Sequence, residues 1–305
     1  MVQEGQSDSD LHGHRRTYVV AGTEVPARPL DPALYLVSTP IGNLGDITLR
    51  ALETLAAADI LACEDTRVTR ALLTRYGIRQ RPVAYHEHNA SEAGERLVTA
   101  MTQGRSVALV SDAGTPLVSD PGYRIVEQAI TAGVRVIPIP GASASLAALS
   151  ASGLPSDAFL FAGFLPSKAG QRRERLEQLR AVPATLILFE SPRRLADSLA
   201  AMADVLGDRP AVIGRELTKA FEEFRRDTLR ALAAHYAEAD TPRGEVVVCI
   251  GPPSDTETLP HDVDSLLLSL ASVMPASKAA AEAARLTGQG RPALYQRLLE
   301  LRAGA

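Results

Sequence analysis

The chain has no tryptophan, and aromatic residues make up only 4% of its 305 positions. Its core has to be built from Ala, Leu, Val and Ile, and a broad aromatic-lined pocket for a planar apolar ligand is disfavoured. There are two cysteines, Cys63 and Cys249, far apart and each in an apolar run. That count excludes a disulfide framework and reads as two buried, reduced thiols of an intracellular protein. No apolar run approaches the roughly 18 residues of a membrane span. The first residues are polar and acidic and lack the apolar stretch of a secretory signal, so the cytoplasm is the expected location. Residues 1–32 read as a disordered extension. There is no excess of positive charge either: the formal net charge is −4. This argues against a uniformly basic polyanion binder but leaves room for a local basic patch. His86 and His88 would face one way on an extended stretch, but two ligands without a third make no metal site, and no metal is expected.

What the sequence does hold is polar punctuation at the ends of apolar runs. Val107–Val110 reads as a strand buried on both faces. It stops at Ser111 and Asp112, and Gly114 and Pro116 break the chain into a tight loop. A second turn, Ser119-Asp120-Pro121-Gly122, follows, with Asp120 as expected N-cap and Pro121 in the first turn of a helix carrying Ile125, Val126, Ala129 and Ile130 at helical spacing. The result is strand, glycine-rich loop, helix. In open α/β sheets, ligands bind beyond the carboxyl ends of strands at such loops.

The pattern recurs along the chain. Leu34–Val37 runs into Ser38-Thr39-Pro40-Ile41-Gly42-Asn43-Leu44-Gly45-Asp46, with Asp46 as expected cap of a helix burying Leu52, Leu55 and Ala56. The full G-x-G-x-x-G is missing and no phosphate-loop lysine follows, so a dinucleotide loop is weakly supported. Ile60–Cys63 ends on Glu64-Asp65-Thr66-Arg67. Either Thr66 caps a helix whose first turn is solvated by the two carboxylates, or at least one carboxylate points into a cleft. Pro82–Tyr85 and Val134–Ile139 complete five strands, and Asn89 with Glu92 resembles a capping box. Pro140-Gly141-Ala142-Ser143-Ala144-Ser145 opens a helix with small residues that suit either ligand approach or helix packing. A first α/β domain over 33–150 follows from this alternation.

A second α/β domain is expected over 151–252. Its strands include Thr185–Phe189, ending on Glu190-Ser191-Pro192-Arg193-Arg194, and Ala211–Gly214, ending on Arg215-Glu216-Leu217-Thr218-Lys219. Phe221–Arg226 reads as a more exposed strand, and Gly244-Glu245 precedes the buried run Val246–Ile250. Lys168, Arg172, Arg173, Arg175 and Arg180 make one helix strongly basic, either as a solvated face or to steer an anionic polymer. After a Pro- and Ser-containing linker, residues 261–305 have another character. From Pro275 on, five basic side chains (Lys278, Arg285, Arg291, Arg297, Arg302) stand against two acidic ones. An apolar helix from about Val263 precedes two helices across a Gly288–Gly290 turn, the last with Leu294, Leu298 and Leu299 inward. This resembles a helix-turn-helix, or else a packing or dimerisation appendage.

Thr39-Pro-Ile-Gly-Asn-Leu-Gly-Asp46, Cys63-Glu-Asp-Thr-Arg67, Tyr85-His-Glu-His-Asn89, Ser111–Gly122, Phe189-Glu-Ser-Pro-Arg193 and Arg215-Glu-Leu-Thr-Lys219 together resemble the ribosomal RNA small-subunit methyltransferase I family. The six motifs occur in order, and the resemblance spans roughly residues 33–302. It implies two α/β domains of tetrapyrrole-methylase type with a cofactor cleft between them, plus a small C-terminal helix-turn-helix-like appendage. It further implies S-adenosylmethionine as methyl donor, a homodimer, and 2′-O-methylation of a cytidine in the decoding region of 16S ribosomal RNA, in an assembled or nearly assembled small subunit. Pro40, Asp112, Gly114, Thr115, Pro116, Ser143, Leu165 and Gly244 become the expected cofactor contacts. Glu64, Asp65, Glu190 and Glu216 are candidate bases for the ribose hydroxyl, and Lys219 or Arg67 could hold the adjoining phosphate. Arg67, Arg193, Lys278 and Arg291 are expected on RNA. A same-fold methylase acting on a tetrapyrrole or a modified histidine, and a non-enzymatic RNA-binding protein, are the alternatives. Scarce aromatics with a basic tail speak against a porphyrinoid pocket, and the polar strand ends against binding alone.

Overall fold

The computed structural model describes residues 16–86, 89–119, 123–253 and 260–303. The expected helix cap at Asp120 and Pro121, the His88 side of the histidine pair and most of the linker after Pro253 lie outside these residues.

The first sheet has five parallel strands: β3 (Leu34–Val37), β4 (Ile60–Cys63), β5 (Val83–Ala84), β6 (Val107–Val110) and β7 (Val136–Ile139), in the order β5-β4-β6-β3-β7. Its faces explain the near-continuous apolar runs. Tyr35, Val37, Leu61 and Val110 pack against α1 (Leu49–Ala57) and α2 (Thr66–Arg75). Leu34, Ala62, Val107 and Leu109 pack against α3 (Ala90–Thr102) and α4 (Tyr123–Thr131) on the other side. Strands β3 and β6 are neighbours, yet the helix after β3 lies on one face and the helix after β6 on the other. The crevice between their carboxyl ends is thus a topological switch point.

The extension expected over 1–32 is corrected within the described residues. Strands β1 (Thr17–Val20) and β2 (Thr23–Pro26) form an antiparallel hairpin. Ala21 and Gly22 make its two-residue turn with φ of 49° and 82°, the backbone a tight hairpin needs. Tyr18 is buried with Ala51 and Leu55, and the Val19 N–H donates to the Tyr76 carbonyl at 2.8 Å. Strands of only four residues each, with Tyr18 their one buried side chain, hide this docking from a composition-based reading.

The second sheet runs β11-β10-β12-β9-β8, from β8 (Phe159–Phe164), β9 (Thr185–Glu190), β10 (Pro210–Arg215), β11 (Glu223–Thr228) and β12 (Val246–Ile250). Only β8 and β9 are parallel; β12 is antiparallel to both β9 and β10. The exposed strand expected at Phe221–Arg226 starts two residues later, and Phe221 stays in the preceding turn. Period-2 alternation sorts the side chains. Val246, Val248 and Ile250 face α6 (Ala169–Leu179), α7 (Leu195–Leu206) and α8 (Leu229–Glu238), whereas Val247 and Cys249 face α5 (Ala144–Ser152) and Ile41. Helix α5 crosses the boundary expected at residue 150, and its Ala148 and Leu149 pack on the second sheet. Ile41 and α5 thereby join the two α/β units.

Helices α9 (Pro260–Val273), α10 (Ala276–Thr287) and α11 (Arg291–Ala303) enclose a separate small core of Val263, Leu267, Ala279, Ala280, Ala283, Leu294 and Leu298. Leu299, expected inward, is exposed; Leu294 and Leu298, four apart, already fill the buried stripe. Both cysteines are free and buried, and burial pushes the Cys249 thiol up to about 12.

Three cap expectations change. Thr48, not Asp46, caps α1, accepting from Ala51 N–H at 3.1 Å, because Asn43 holds Leu44–Asp46 in a 3-10 turn. Asp65, not Thr66, caps α2. Asn89 sits at the start of α3 but turns its amide back to His86 N–H (2.9 Å) and the Ala84 carbonyl (3.0 Å), so no capping box forms with Glu92.

Candidate active site

The loops after β3 and β6 clasp each other at the switch point. Thr39 and Gly114 form an isolated antiparallel bridge, with N–H···O distances of 2.9 and 3.1 Å. Ser38 Oγ donates to Thr115 Oγ1 at 3.1 Å and Thr39 Oγ1 to the Ser111 carbonyl at 3.3 Å. Gly114, Leu117 and Ser119 hold φ of 77°, 74° and 64°. Two non-glycine residues in the left-handed region mark a loop whose shape is imposed by its surroundings. Asp112 Oδ1 accepts from the Asp65 N–H at 2.9 Å, tying the start of α2 to the same loop.

Two cavities open beside this clasp. One, of about 430 Å³, is lined by Gly114 and Thr115, the start of α5 at Ser143–Ser145, Phe164 and Phe189, and the Gly244–Val247 stretch. The other, of about 420 Å³, lies between Pro40, Leu44, Val68 and Leu72 on its apolar side and Asp112, Lys219 and Glu245 on its polar side. Ile41, Ala113 and Glu245 line both and form their common wall. Both volumes fall in the range of about 300–1,000 Å³ typical of small-molecule sites.

The polar part of the wall is an ion-pair chain from the second domain. Lys219 Nζ donates to Glu216 Oε1 at 2.8 Å and to Glu245 Oε2 at 3.0 Å. Glu216 Oε1 also accepts the Glu245 N–H at 3.1 Å, while the Glu216 N–H donates to the Glu245 carbonyl at 3.0 Å. The Lys219 hydrogen bond is the main cause holding the Glu216 carboxyl below its usual value. Burial works to lower the Lys219 pKa, but the bonds to Glu216 and Glu245 outweigh it and the ammonium is stabilised. Glu216 and Thr218 adopt φ of 49° and 66°, and Thr218 Oγ1 accepts from the Asn43 N–H at 3.2 Å, closing this turn onto the loop after β3. Gly244 has φ of 93°, and a Cβ there would overlap the Glu216 carboxylate. Only glycine lets the chain pass so close.

The structure groups the expected cofactor residues unevenly. Gly114, Thr115, Ser143 and Gly244 line the 430 Å³ cavity, and Pro40 and Asp112 line the other. Pro116 lines neither but a small recess with Glu64 and Tyr85. Leu165 packs in the core of the second domain, its carbonyl taken by Arg194 at 2.6 Å; its neighbour Phe164 reaches the cavity.

The candidate bases scatter. Glu64 stands in the small recess, outside both large cavities. Asp65 accepts from the Arg67 N–H at 2.8 Å and from the Arg67 guanidinium at 2.6–3.1 Å, which lowers its pKa to about 2. A carboxylate so acidic is a poor proton acceptor. Glu190 is buried, taking the Ser198 hydroxyl at 2.5 Å and the Ser191 N–H at 2.7 Å. Glu216 is committed to Lys219. Among the described residues no cluster of three or more His, Cys, Asp or Glu is arranged for a metal ion.

The side chain that sequence reasoning passed over is Glu245. In a parallel sheet the site residues stand at the carboxyl ends of strands, and Glu245 precedes one. Because β12 is antiparallel to β9 and β10, its amino end lies beside their carboxyl ends, with Val246 opposite both Glu190 and Arg215. Glu245, one residue before β12, therefore reaches the cleft.

Two α/β domains with a cleft of this form define a methyltransferase of the tetrapyrrole-methylase class. Residues 33–233 match the family model of the Tetrapyrrole (Corrin/Porphyrin) Methylases, and residues 257–302 match that of the RsmI C-terminal HTH domain. The chain belongs to the ribosomal RNA small subunit methyltransferase I family. It is 72% identical to the ribosomal RNA small subunit methyltransferase I of Mesorhizobium japonicum over 93% of this chain and 97% of that protein. It is 47% identical to that of Escherichia coli O157:H7 over 88% and 94%. Solved structures share the fold at low identity. Diphthine synthase matches with a TM-score of 0.57 at 21% identity, covering 72% of this chain and 90% of that one. Uroporphyrin-III-C-methyltransferase of Thermus thermophilus matches with 0.52 at 22%, covering 72% and 94%.

Proposed function

We propose that the chain transfers the methyl group of S-adenosylmethionine to the ribose 2′-hydroxyl of a cytidine in the decoding region of 16S ribosomal RNA. It does so as a cytoplasmic homodimer, on an assembled or nearly assembled small subunit. The observation that carries this reading is the pair of similar-sized cavities sharing one thin wall. A group-transfer enzyme needs its donor and acceptor in separate sites with the reacting atoms adjacent.

The donor fits the 430 Å³ cavity. Backbone at Gly114, Thr115 and Gly244 can approach a ligand closely, Phe164 and Phe189 supply apolar surface, and the first turn of α5 at Ser143–Ser145 suits a carboxylate. When bound, S-adenosylmethionine supplies an activated methyl with a neutral thioether as leaving group. The acceptor nucleotide fits the other cavity. Leu44, Val68 and Leu72 offer its base an apolar wall, and Lys219, at the polar side, lies near the sugar and phosphate. Such a site takes a nucleotide drawn out of its stack. Lys278 and Arg291 are exposed on the helical tail and, among the described residues, have no carboxylate partner; Arg67 and Arg193 are exposed nearer the cleft. These four are the proposed RNA contacts.

The test is transfer of label from methyl-labelled donor to naked 16S RNA, to small subunits, or to neither, followed by nuclease digestion and mass spectrometry. Label on a cytidine ribose of the small subunit is the expected outcome. Label on a base, or transfer to no form of the RNA, would overturn the reading.

A further inference from the structure

We infer that Glu245 is the catalytic carboxylate that takes the proton from the ribose hydroxyl. The inference rests on the functional reading above and adds the one group that reading leaves unassigned.

A base for this reaction must touch the acceptor while the donor methyl lies on the far side of the attacking oxygen. Glu245 is the one ionisable side chain lining both cavities among the described residues. Its companions in the wall, Ile41 and Ala113, carry no side-chain proton acceptor. Of the other carboxylates near the strand ends, Asp65 is held by Arg67, and Glu190 is buried on Ser191, Ser198 and Arg194. Glu216 takes both Lys219 and the Glu245 N–H on Oε1 and lines neither large cavity, Glu64 stands in the small recess, and Asp112 lines only the acceptor cavity with Oδ1 on the Asp65 N–H. Glu245 keeps 77% of its side-chain surface exposed, and Lys219 holds Oε2 alone, at 3.0 Å. Its other oxygen has no partner among the described residues, and the lysine fixes which way the carboxylate points. Lys219 is in turn fixed by Glu216 through a contact of 2.8 Å, so Glu216 and Lys219 are positioning residues.

The step balances without a further reactant. The 2′-oxygen forms a bond to the methyl carbon as the carbon–sulfur bond breaks and sulfur keeps that electron pair. The hydroxyl proton passes to Glu245 and from there to solvent. The charged groups around this carboxylate are Lys219 and Glu216 on the turn after β10, Asp112 on the loop after β6, and Glu190 at the end of β9, which lines the donor cavity with it.

Glu245→Gln keeps size and the possibility of a Lys219 contact but removes proton affinity. Single-turnover methyl transfer to small subunits should fall by about a hundredfold. Donor affinity by calorimetry and small-subunit affinity should stay within about twofold, which also reports an intact fold. Transfer by the unaltered chain should decline on the acidic side, and this acidic limb should vanish in Glu245→Gln, while Glu245→Asp keeps the limb at reduced rate. A variant with the full rate, or one that keeps the acidic limb, would overturn the inference. So would a slow variant whose donor affinity has collapsed, since Glu245 would then be a donor ligand. If the unaltered chain methylates no RNA, the functional reading itself falls; if it does and Glu245→Gln matches it, only the assignment of Glu245 falls.

Discussion

At the scale of single residues, the cleft depends on a few closely constrained positions. Gly114 lies in the bridge to Thr39 with φ of 77°, and a Cβ there would stand 3.4 Å from the Ile41 Cγ2 in the common wall. Gly114→Arg therefore places a long side chain in left-handed backbone beside the cavity proposed for the donor. The backbone cost is roughly 1–3 kcal/mol, small enough for a folded variant. S-adenosylmethionine binding measured by calorimetry should be lost while the circular dichroism spectrum persists. Unchanged affinity would mean that the donor does not lie against this loop. Glu216 is the complementary case. A carboxylate at a strand end invites a catalytic reading, yet Lys219 and the Glu245 N–H occupy Oε1 of this one, as the positioning role proposed for it requires.

At the scale of elements, α2 shows how an acidic strand end can serve structure. Asp65 caps the helix and holds Arg67, and the Arg67 hydrogen bonds bring its pKa down to about 2. A carboxyl depressed on folding stabilises the protein above its unfolded-state pKa and ceases to do so as pH falls through the folded value. Asp65→Asn should thus lower the unfolding temperature at neutral pH, and the gap to the unaltered chain should close between the ordinary Asp pKa of about 4 and pH about 2. A gap independent of pH would mean that the cap works without its charge. Elements also differ in how legible they are in the sequence. Strands buried on both faces, such as Val107–Val110 and Ile60–Cys63, declare themselves by uninterrupted apolar runs, and the loops after them by glycine, proline and carboxylates. The β1–β2 hairpin does not, because its burial rests on one tyrosine meeting α1 from a distant part of the chain. Glu245 was equally hidden: strand direction in the second sheet is a property of pairing, and no local pattern separates the amino end of an antiparallel strand from a loop pointing away from the cleft.

At the scale of the whole molecule, the tail is built apart from the cleft. The two sheets meet through Ile41 and α5, so the cavity proposed for the donor draws walls from both, whereas α9–α11 close their own core without the others. Within the tail, Arg285 is turned to Glu282, Arg297 to Asp264 and Glu300, and Arg302 to the Ala271 carbonyl. Those arginines are largely spent on the fold of the tail, which leaves Lys278 and Arg291 as its outward positive charges among the described residues. If these two grip phosphates, Lys278→Ala with Arg291→Ala should weaken binding to the small subunit. The slope of log affinity against log salt should then shrink by about 0.7 for each single-strand phosphate no longer neutralised. Donor affinity should be untouched, because no described residue of the tail lines the donor cavity. Removing residues 254–305 should flatten the salt dependence further while the two α/β domains keep their cores and bind the donor. A truncated chain that holds the small subunit as tightly and with the same salt slope, yet sediments as a monomer, would assign the tail to dimerisation instead.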